Sequence, residues 1–474
     1  MTNRFLSKYL LFLIIIGTTY TFFSCGEDRT YQFEEKTGRN QWIYDTMNQW
    51  YLWNDEIPQM NTTQFFGDAE SFFKKLLSPK DKYSYMETTG GETTRSINLS
   101  SSYGIDFALY VDPVTNSKSS IERYARVLYI LPESPADKAG IKRGDWISGI
   151  GGEQLTTKNY FSLINGPETT ITLSRLRNTN NNTMIWEETE AVEMEASRHM
   201  EDNPFYVDTI YQVRGNKIAY LMYNRFSTGP NDTGNETQYN AQMRSIFAKF
   251  KSQEVTDVIL DLRYNPGGYL SCAQVLASLL APESAFGKIF CTLKFNENNA
   301  TRNEVMILEK SLTGGANMNL KRLYIITSNL TASASESIIN GLRPLMGEEN
   351  IILIGTQTEG KNVASLAFKS STYGYTLHPI VATVYNGNNE SNYANGFAPN
   401  YEIDELSVEF DKAGYALPLL PLGDINETLL NATLTLILNT NKDEQLQPTR
   451  TDTPTLYPTF YSIQHKYGNE MIIN

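Results

Sequence analysis

The pattern of apolar and polar residues is helical near the start of the chain. Between residues 40 and 51, apolar and aromatic side chains recur at helical spacing, and residues 69–77 repeat that spacing before a Ser-Pro pair. Residues 28–95 are therefore predicted to form a helical N-terminal region.

The pattern then changes to short runs in which apolar and polar residues alternate. Runs of this kind occupy residues 103–107, 126–130 and 170–173, and turn-forming residues separate them. A period of two residues is typical of strands with one buried face. Residues 100–195 are therefore predicted to form a β-rich domain.

A third region alternates buried strands with amphipathic helices. Uniformly apolar runs are typical of buried parallel strands, and stretches with helical periodicity separate several of them, which predicts an α/β core over residues 205–410. Residues 411–474 are expected to be irregular cover and tail with one helix at 425–438. The predicted strands of the core lie at residues 218–221, 258–262, 323–327 and 351–355, and its predicted helices at 237–250 and 270–280.

Length and charge narrow the possible functions. A chain of 474 residues exceeds what a single core usually supports, and 41% hydrophobic with 20% charged residues predicts folded domains. With 40 basic and 53 acidic residues the net charge is −13, which argues against nucleic-acid binding. No cofactor or metal site is predicted, since no Cys-x-x-Cys pair or paired-histidine spacing occurs.

The first 24 residues are typical of a secretory leader. A basic start precedes an apolar run that is shorter than the roughly 20 residues needed to span a bilayer. Cys25 follows a small residue at the end of this leader, as in a bacterial lipoprotein cleavage site, and would carry the lipid. The acidic residues Glu27 and Asp28 resemble a surface-export signal, so we expect an outer-membrane protein of the cell envelope, facing the periplasm or the surface. Release as a soluble exported protein is the alternative.

The other two cysteines are Cys272 and Cys291. Three cysteines are too few for a disulfide framework. A single bridge between Cys272 and Cys291 stays open at this stage.

Three segments of the predicted core end a buried strand and turn sharply into a loop or helix. They are residues 261–268, 327–336 and 355–362. Open α/β sheets place their ligands at such strand ends, so these segments are predicted to converge on one site.

Each of these segments also has a purely structural interpretation. Paired glycines occur in ordinary strand-to-helix turns, Ser333 followed by Glu336 forms a capping box, and a lysine such as Lys361 in a loop is commonly solvated. Glycines also let backbone N–H groups approach a ligand, and a serine at a helix start has positive potential around it. The combination of all three, rather than any one, indicates catalysis.

Together and in this order, the three segments resemble those of the C-terminal processing (tail-specific) peptidases, over about residues 40–440. The resemblance implies an α/β, crotonase-like peptidase core that uses a Ser–Lys dyad to cleave exported polypeptides through an acyl-enzyme. By this match Ser333 is the nucleophile and Lys361 the general base. The N–H groups of Ala334 and of the Gly267–Gly268 turn form the oxyanion hole.

A second resemblance lies in the β-rich domain. Residues 134–147 resemble the helix, turn and strand of a PDZ domain, which binds an extended peptide by adding it to a strand edge. Nearby residues resemble the carboxylate-binding loop of such a domain and are predicted to bind substrate. They are Tyr103, Gly104, Ile105, Asp106 and Phe107.

The chain departs from the family pattern in two places. The 28 positions from Ser333 to Lys361 are more than expected, so an insertion is placed in the turn at 344–350 after a helix that Pro344 is predicted to close. The polar residue that supports the lysine in well-known members falls on Ser365. The alternative function is therefore that of a catalytically inactive surface lipoprotein that binds peptides or glycans on the same scaffold.

Lysine can act as a base only if its amine is neutral. The pKa of a free lysine amine is near 10.4. Lowering this pKa to near 7 by burial costs about 4 kcal/mol. The other possible base is a histidine in a Ser–His–Asp triad. The chain has three histidines, His199, His378 and His465, and a structural role is the expectation for each. The sequence leaves the oligomeric state open.

Overall fold

The structure is a computed structural model, and its description covers residues 30–88, 101–111, 122–179, 183–231, 234–438, 456–463 and 471–472. The predicted leader at 1–24 and the lipidation site Cys25 lie outside these residues. Within them, residues 30–48 and 55–78 form one compact unit and the remainder forms a second. No helix in the described ranges is long and apolar enough to cross a membrane.

Most α-helices of the described ranges lie where the periodicity predicts them, although the first begins ten residues before the predicted stretch at 40–51. The α-helices of these ranges are α1 (Thr30–Trp50), α2 (Ala69–Leu76), α3 (Pro135–Lys138), α4 (Gln238–Ser252), α5 (Leu270–Leu280), α6 (Ala334–Met346) and α7 (Thr428–Leu438).

The strands fall into four sheets. In chain order they are β1 (Tyr85–Thr88), β2 (Ile105–Val111), β3 (Arg123–Ile130), β4 (Trp146–Ile150), β5 (Glu153–Gln154), β6 (Thr169–Asn178), β7 (Met184–Met194), β8 (Phe205–Val213), β9 (Asn216–Tyr223), β10 (Asp257–Asp261), β11 (Gly268–Tyr269), β12 (Ile289–Phe295), β13 (Glu304–Ile307), β14 (Leu323–Thr327), β15 (Ile351–Gly355), β16 (Val363–Ser365), β17 (Phe368–Ser370), β18 (Tyr375–His378), β19 (Ile380–Tyr385), β20 (Tyr401–Glu402), β21 (Pro458–Tyr461) and β22 (Met471–Ile472).

The N-terminal unit is helical, as predicted. In α2 the buried residues Ala69, Phe72, Phe73 and Leu76 share one face, because they are spaced three, four and seven positions from the first. Asp68 caps this helix by accepting the Ser71 N–H at 2.7 Å. The predicted helical region at 28–95 also includes strand β1, which belongs to the second unit and pairs with β18.

The predicted PDZ-like domain is a seven-stranded sheet with the order β21-β2-β3-β4-β6-β7 and β5 beside β4. Its short helix α3 starts at Pro135, where Ser134 accepts the Asp137 N–H at 3.1 Å. Gly140 and Gly144 follow with φ of 80° and 89°, which glycine adopts without strain, and the chain then enters β4. The predicted helix, turn and strand are therefore present.

The α/β core contains a six-stranded sheet with the order β20-β15-β14-β10-β9-β8. Strands β9, β10, β14, β15 and β20 are parallel, and β8 pairs antiparallel at one edge. Residues Leu323–Thr327 of β14 are all buried, which explains their largely apolar sequence. A second six-stranded sheet has the order β11-β22-β16-β19-β12-β13.

Pro344 does not close its helix as predicted, because α6 continues to Met346. A proline inside a helix leaves the carbonyl four residues earlier without its usual donor. Here that carbonyl belongs to Asn340, and it accepts a hydrogen bond from Asn386 Nδ2 at 3.3 Å. A side chain distant in sequence therefore replaces the missing helical bond.

The structure also answers one question that the sequence left open and corrects one further expectation. Cys272 and Cys291 are buried free thiols rather than a disulfide. The tail is not simply irregular, because β21 and β22 each join a sheet. Their short, mixed sequences carry no strand periodicity, so only the pairing with other parts of the chain defines them as strands.

Candidate active site

The three predicted catalytic segments leave adjacent parallel strands. They follow β10, β14 and β15, whose carboxyl ends meet at one edge of the sheet. Hydrogen bonds join the loops there: Thr331 Oγ1 donates to Leu262 O at 2.8 Å, and Glu359 N–H donates to Thr331 O at 3.0 Å. The structure therefore brings all three segments together.

Asn265 fixes the glycine turn against the serine loop. Its carbonyl accepts the Ala332 N–H at 3.1 Å and the Ser335 hydroxyl at 3.0 Å. Its side chain donates to Tyr223 O at 2.7 Å and accepts the Gly267 N–H at 2.9 Å. All four bonds are buried or part of the core, so the relative positions of the two loops are fixed before any ligand arrives.

Ser333 occupies a strained position at the start of α6. Its φ of 65° and ψ of −117° lie in a region that residues with a Cβ rarely adopt. Its side chain is fully buried, and its hydroxyl has no hydrogen-bond partner among the described residues. A buried polar group without a partner is costly, and such groups together with backbone strain are concentrated at functional sites.

Glu336 joins the serine loop to the lysine loop. Its carboxylate accepts four hydrogen bonds, from the N–H groups of Ser333 at 2.8 Å, Gly360 at 2.7 Å and Lys361 at 2.8 Å and from the Thr358 hydroxyl at 2.6 Å. The capping interaction predicted from the sequence is therefore present in one direction, from Ser333 N–H to Glu336. The same carboxylate also holds the backbone of Lys361, which the sequence did not suggest.

The carboxylate of Glu336 is fully buried. Burial raises its pKa to about 7, and the four donors act in the opposite direction because they stabilise the ionised form. The charge of this carboxyl group therefore changes near neutral pH, directly beside the backbone of Ser333 and Lys361.

Lys361 is 2% exposed, contrary to the solvated lysine of the structural interpretation. Its Nζ lies 5.1 Å from the centre of the Tyr83 ring, at a distance typical of cation–π contacts. Burial raises the pKa of the Tyr83 phenol, and Glu359 and Glu336 add to the effect. The Ser333 hydroxyl makes no hydrogen bond to any described residue, Lys361 included, so the direct Lys361–Ser333 bond is not formed here.

The glycine turn has the backbone shape that an oxyanion hole requires. Gly267 and Gly268 have φ of 111° and 131°, and a Cβ on Gly268 would lie 2.1 Å from Phe226 O. The Gly267 N–H already donates to Asn265 Oδ1. The N–H of Ala334 has no intrahelical acceptor because Ala334 begins the helix.

Other predicted residues lie elsewhere. Ser365 is in strand β16, and its hydroxyl contacts Met471 O at 3.4 Å, so the structure gives no hydrogen bond from it to Lys361. His378 Nε2 lies 3.1 Å from Glu87 Oε1 and its ring stacks on Tyr85, whereas His199 is exposed and His465 lies outside the described residues.

The predicted carboxylate-binding loop has several of its donors already engaged. Tyr103 N–H donates to Ile164 O at 3.1 Å, Gly104 N–H to Ser102 Oγ at 2.9 Å and Phe107 N–H to Ser462 Oγ at 2.8 Å. Ile105 and Asp106 begin β2. A role for these five residues in substrate binding stays a prediction.

A buried ion network lies immediately before the glycine turn. The fully buried Arg263 guanidinium pairs with Asp261 at 2.7 Å, Glu405 at 2.5 Å and Glu427 at 2.8 Å. Arg143 of the PDZ-like domain pairs with the same Glu405 at 2.7 Å. Every carboxylate in this network has a cationic partner, and the network connects the PDZ-like domain to the strand that leads into the turn.

Asn265, Glu336 and Tyr83 have roles that sequence reasoning missed. Asn265 and Glu336 lie inside two of the three strand-end segments, so their position in those segments was the available signal. Tyr83 offered no such signal, since it lies far from the motifs in sequence. No group of three or more His, Cys, Asp or Glu side chains in the described ranges could hold a metal ion.

Comparison with known proteins places these features in a family. Models described as Peptidase family S41, Peptidase S41 N-terminal domain and PDZ domain match residues 217–403, 38–85 and 126–175. The carboxy-terminal-processing protease of Bartonella bacilliformis is 25% identical over 301 residues, covering 62% of this chain and 61% of its own length. The carboxyl-terminal-processing protease of Synechocystis is 22% identical over 416 residues, covering 84% and 86%.

The chain spans about six tenths of the length of the first two curated relatives. A crystal structure of a candidate S41 protease from Bacteroides fragilis is 32% identical, with a TM-score of 0.71, and the match covers 85% of this chain and 98% of that one. With its N-terminal helical domain, PDZ domain and α/β core, the chain belongs to peptidase family S41.

Proposed function

We propose that the protein is a serine endopeptidase that hydrolyses exported polypeptides by a Ser–Lys dyad. The observation that carries the proposal is the strained, buried Ser333 with its unpaired hydroxyl, held through Glu336 to the loop of the buried Lys361. A cap alone would not require the strain. A buried hydroxyl at a helix N-terminus is suited to nucleophilic attack.

In the proposed reaction the neutral Lys361 amine accepts the Ser333 proton as Oγ bonds to the peptide carbonyl carbon. The oxyanion of the tetrahedral intermediate accepts hydrogen bonds from Ala334 and Gly268 N–H, with Gly267 N–H holding the turn through Asn265. Collapse breaks the C–N bond, and the Lys361 ammonium protonates the leaving amine. Lys361 then takes a proton from water as the water oxygen attacks the ester. The C–Oγ bond breaks, and Lys361 returns that proton to Ser333 Oγ as the acid leaves.

The direct test is Ser333→Ala, with Ser337→Ala as the matched control one helical turn away. Cleavage of a denatured protein should fall more than about 10³-fold in the first variant and less than about threefold in the second. Cleavage by Ser333→Ala at the wild-type rate would refute the nucleophile assignment.

The alternative is a catalytically inactive peptide- or glycan-binding lipoprotein on the same scaffold. The position at which the family supports its lysine is Ser365 here, and the contact of the Ser365 hydroxyl with Met471 O favours this alternative. A serine-directed phosphonate probe separates the two functions, because an active site forms an adduct at Ser333 that mass spectrometry locates. Absence of the adduct in the folded wild-type chain would favour the scaffold.

The proposed location is the cell envelope, with a lipid on Cys25 anchoring the protein to the outer membrane. The position of Cys25 at the end of an apolar leader supports this part of the proposal. Metabolic labelling with an alkyne fatty acid should mark the wild type and not Cys25→Ser. Labelling that persists in Cys25→Ser would contradict the anchor.

A further inference from the structure

The outer edge of β2 in the PDZ domain is paired with a segment from near the end of the chain. Strand β21 runs antiparallel to β2, with Ala108 opposite Tyr461 and Leu109 opposite Phe460. The Thr459 hydroxyl adds a hydrogen bond to Leu109 O at 3.1 Å. Strand addition to such an edge is how PDZ domains bind extended peptides.

The Phe460 side chain fills the space between β2 and the 3-10 helix Tyr160–Leu163. Its ring centre lies 4.9 Å from that of Tyr160, 6.0 Å from that of Phe161 and 6.1 Å from that of Phe107. The rings of Tyr160 and Phe161 meet it edge to face, the favourable geometry for aromatic pairs. We name the space between β2 and this 3-10 helix the β2 groove.

Ser462 completes the contact at the end of the groove. Its hydroxyl accepts the Phe107 N–H at 2.8 Å and donates to Asp106 Oδ1 at 2.8 Å, and its side chain is buried. The chain continues to the buried Ile463. The Phe107 N–H belongs to the loop that was predicted to bind a chain-terminal carboxylate. Here it donates instead to a hydroxyl inside a continuing chain.

A second segment from the same part of the chain lies beside the glycine turn. Phe226 bonds to Gly267 O and to Tyr269 N–H, and backbone groups alternate sides along a strand. The N–H and C=O of Gly268 therefore face the other side, where Met471 pairs with Gly268. The proposed oxyanion donor faces an edge that the chain itself covers.

We infer that the β2 groove is a binding site for extended internal peptide segments with an aromatic residue followed two positions later by a hydroxyl residue, and that Pro458–Ser462 occupies it in cis. Met471 and Ile472 cover the Gly268 edge at the same time. The consequence for catalysis rests on the proposed function: a polypeptide substrate enters only when it displaces these segments.

An intramolecular ligand competes strongly with an external one. Its effective concentration is commonly millimolar. Only molecules whose groove is open can bind an external peptide, so the apparent affinity falls in proportion to the open fraction. Weakening the internal segment should therefore strengthen external binding. This direction is opposite to that expected if Pro458–Ser462 were only structural.

The test measures fluorescence anisotropy of a labelled peptide with the sequence of residues 456–463. All proteins carry Ser333→Ala in the full chain, so that cleavage cannot interfere. Phe460→Ala should bind the peptide at least tenfold more tightly than the parent. Tyr457→Ala, which alters a 65% exposed ring outside the strand, should bind as the parent does within twofold.

The peptide itself provides the specificity control. Replacing its phenylalanine by alanine should weaken binding to the Phe460→Ala protein at least tenfold. Equal affinity of the parent and the Phe460→Ala protein, or binding to neither, would overturn the inference. If Phe460→Ala does not fold, Ser462→Ala replaces it, with an expected gain of about threefold from the loss of its hydrogen bonds, and no gain would count against the inference.

Activity measured with Ser333 present separates this inference from the proposed function. Phe460→Ala should raise kcat/KM for a peptide substrate about tenfold. Tighter peptide binding by Phe460→Ala without any cleavage would leave the groove assignment standing and refute the peptidase. Cleavage without a difference in peptide binding would support the peptidase and overturn the groove assignment.

Discussion

Two buried polar clusters flank the glycine turn and differ in how completely their groups are paired. Around Arg263, three carboxylates and two guanidiniums pair with one another, and burial of Glu405 is outweighed by Arg263 and Arg143, which lower its pKa. Around Ser333, the hydroxyl has no partner within the part of the chain that the structure describes, and the backbone is strained. The paired cluster suits a fixed structural connection. In the unpaired cluster, a hydrogen bond to a bound group would offset the cost of the unmet hydroxyl.

The largest expected effect is on activity, from removal of the Lys361 amine. Lys361→Met keeps the length of the side chain and should lower kcat/KM more than about 10³-fold, at least about 4 kcal/mol of transition-state stabilisation. The free energy of unfolding should not fall, because a buried amine is replaced by an apolar group. Steady-state cleavage and urea unfolding measure the two quantities.

Lys369→Met is the control, since this lysine is exposed in β17, eight positions along the chain. It should change kcat/KM less than twofold. An equal loss in both variants would mean that charge in general, rather than the Lys361 amine, supports activity.

The paired cluster should show the reverse pattern. Arg263→Met removes the cation that pairs with Asp261, Glu405 and Glu427, whereas Arg143 pairs with the two glutamates and not with Asp261 in the described residues. The free energy of unfolding should therefore fall by about 3–5 kcal/mol. Urea unfolding midpoints measure the loss.

A surface pair provides the control for Arg263. Arg175 is exposed and lies 3.2 Å from Glu187, so Arg175→Met should cost less than about 1 kcal/mol. A loss below about 1 kcal/mol in Arg263→Met as well would show that the buried network is no more important than a surface pair.

Glu336 shares a property with each cluster. Its carboxylate is fully hydrogen-bonded, like the groups around Arg263, but it joins the loops of Ser333 and Lys361. In Glu336→Gln an amide N–H group replaces one acceptor and faces a backbone or hydroxyl donor, so the free energy of unfolding should fall by about 1–3 kcal/mol. Displacement of Lys361 should lower kcat by about 10–100-fold. Glu348→Gln, at an exposed position, should change neither.

The pH dependence of stability sharpens this prediction. The pKa of Glu336 is raised from its usual 4.5 to about 7, so the folded chain holds a proton that the unfolded chain loses between these values. The free energy of unfolding should therefore fall as the pH rises from 4.5 to 7, by roughly 3 kcal/mol at most. Urea titrations at several pH values should show this fall in the wild type and not in Glu336→Gln, and identical slopes would contradict it.

The smallest effect concerns the strain at Ser333. Ser333→Gly relieves the positive φ and should raise the free energy of unfolding by about 1 kcal/mol relative to Ser333→Ala. Ser337→Gly, inside the same helix, should instead lower it by about 0.5–1 kcal/mol relative to Ser337→Ala. Destabilisation by Ser333→Gly of the same size as by Ser337→Gly would show that Ser333 is not strained.

Much of the core and the convergence of the catalytic segments could be predicted from the sequence. Strand β14, strand β15 and helix α5 have the predicted bounds, because uniformly apolar runs and helical periodicity record burial directly. Loops that follow the carboxyl ends of parallel strands were expected to converge, and this expectation correctly placed the loop of Lys361 beside that of Ser333. The continuation of α6 through Pro344 could not be predicted, since Asn386 lies more than forty residues away.

The sequence by itself determined the order of the domains, the buried strands and the three strand-end loops, since local periodicity or turn residues indicate each of them. Only the tertiary structure decided that Glu336 ties Ser333 to Lys361, and that Pro458–Ser462 fills the β2 groove. These depend on contacts between residues far apart in the chain. A short polar or aromatic segment pairs with whichever strand edge the fold presents to it, and no local pattern records that choice.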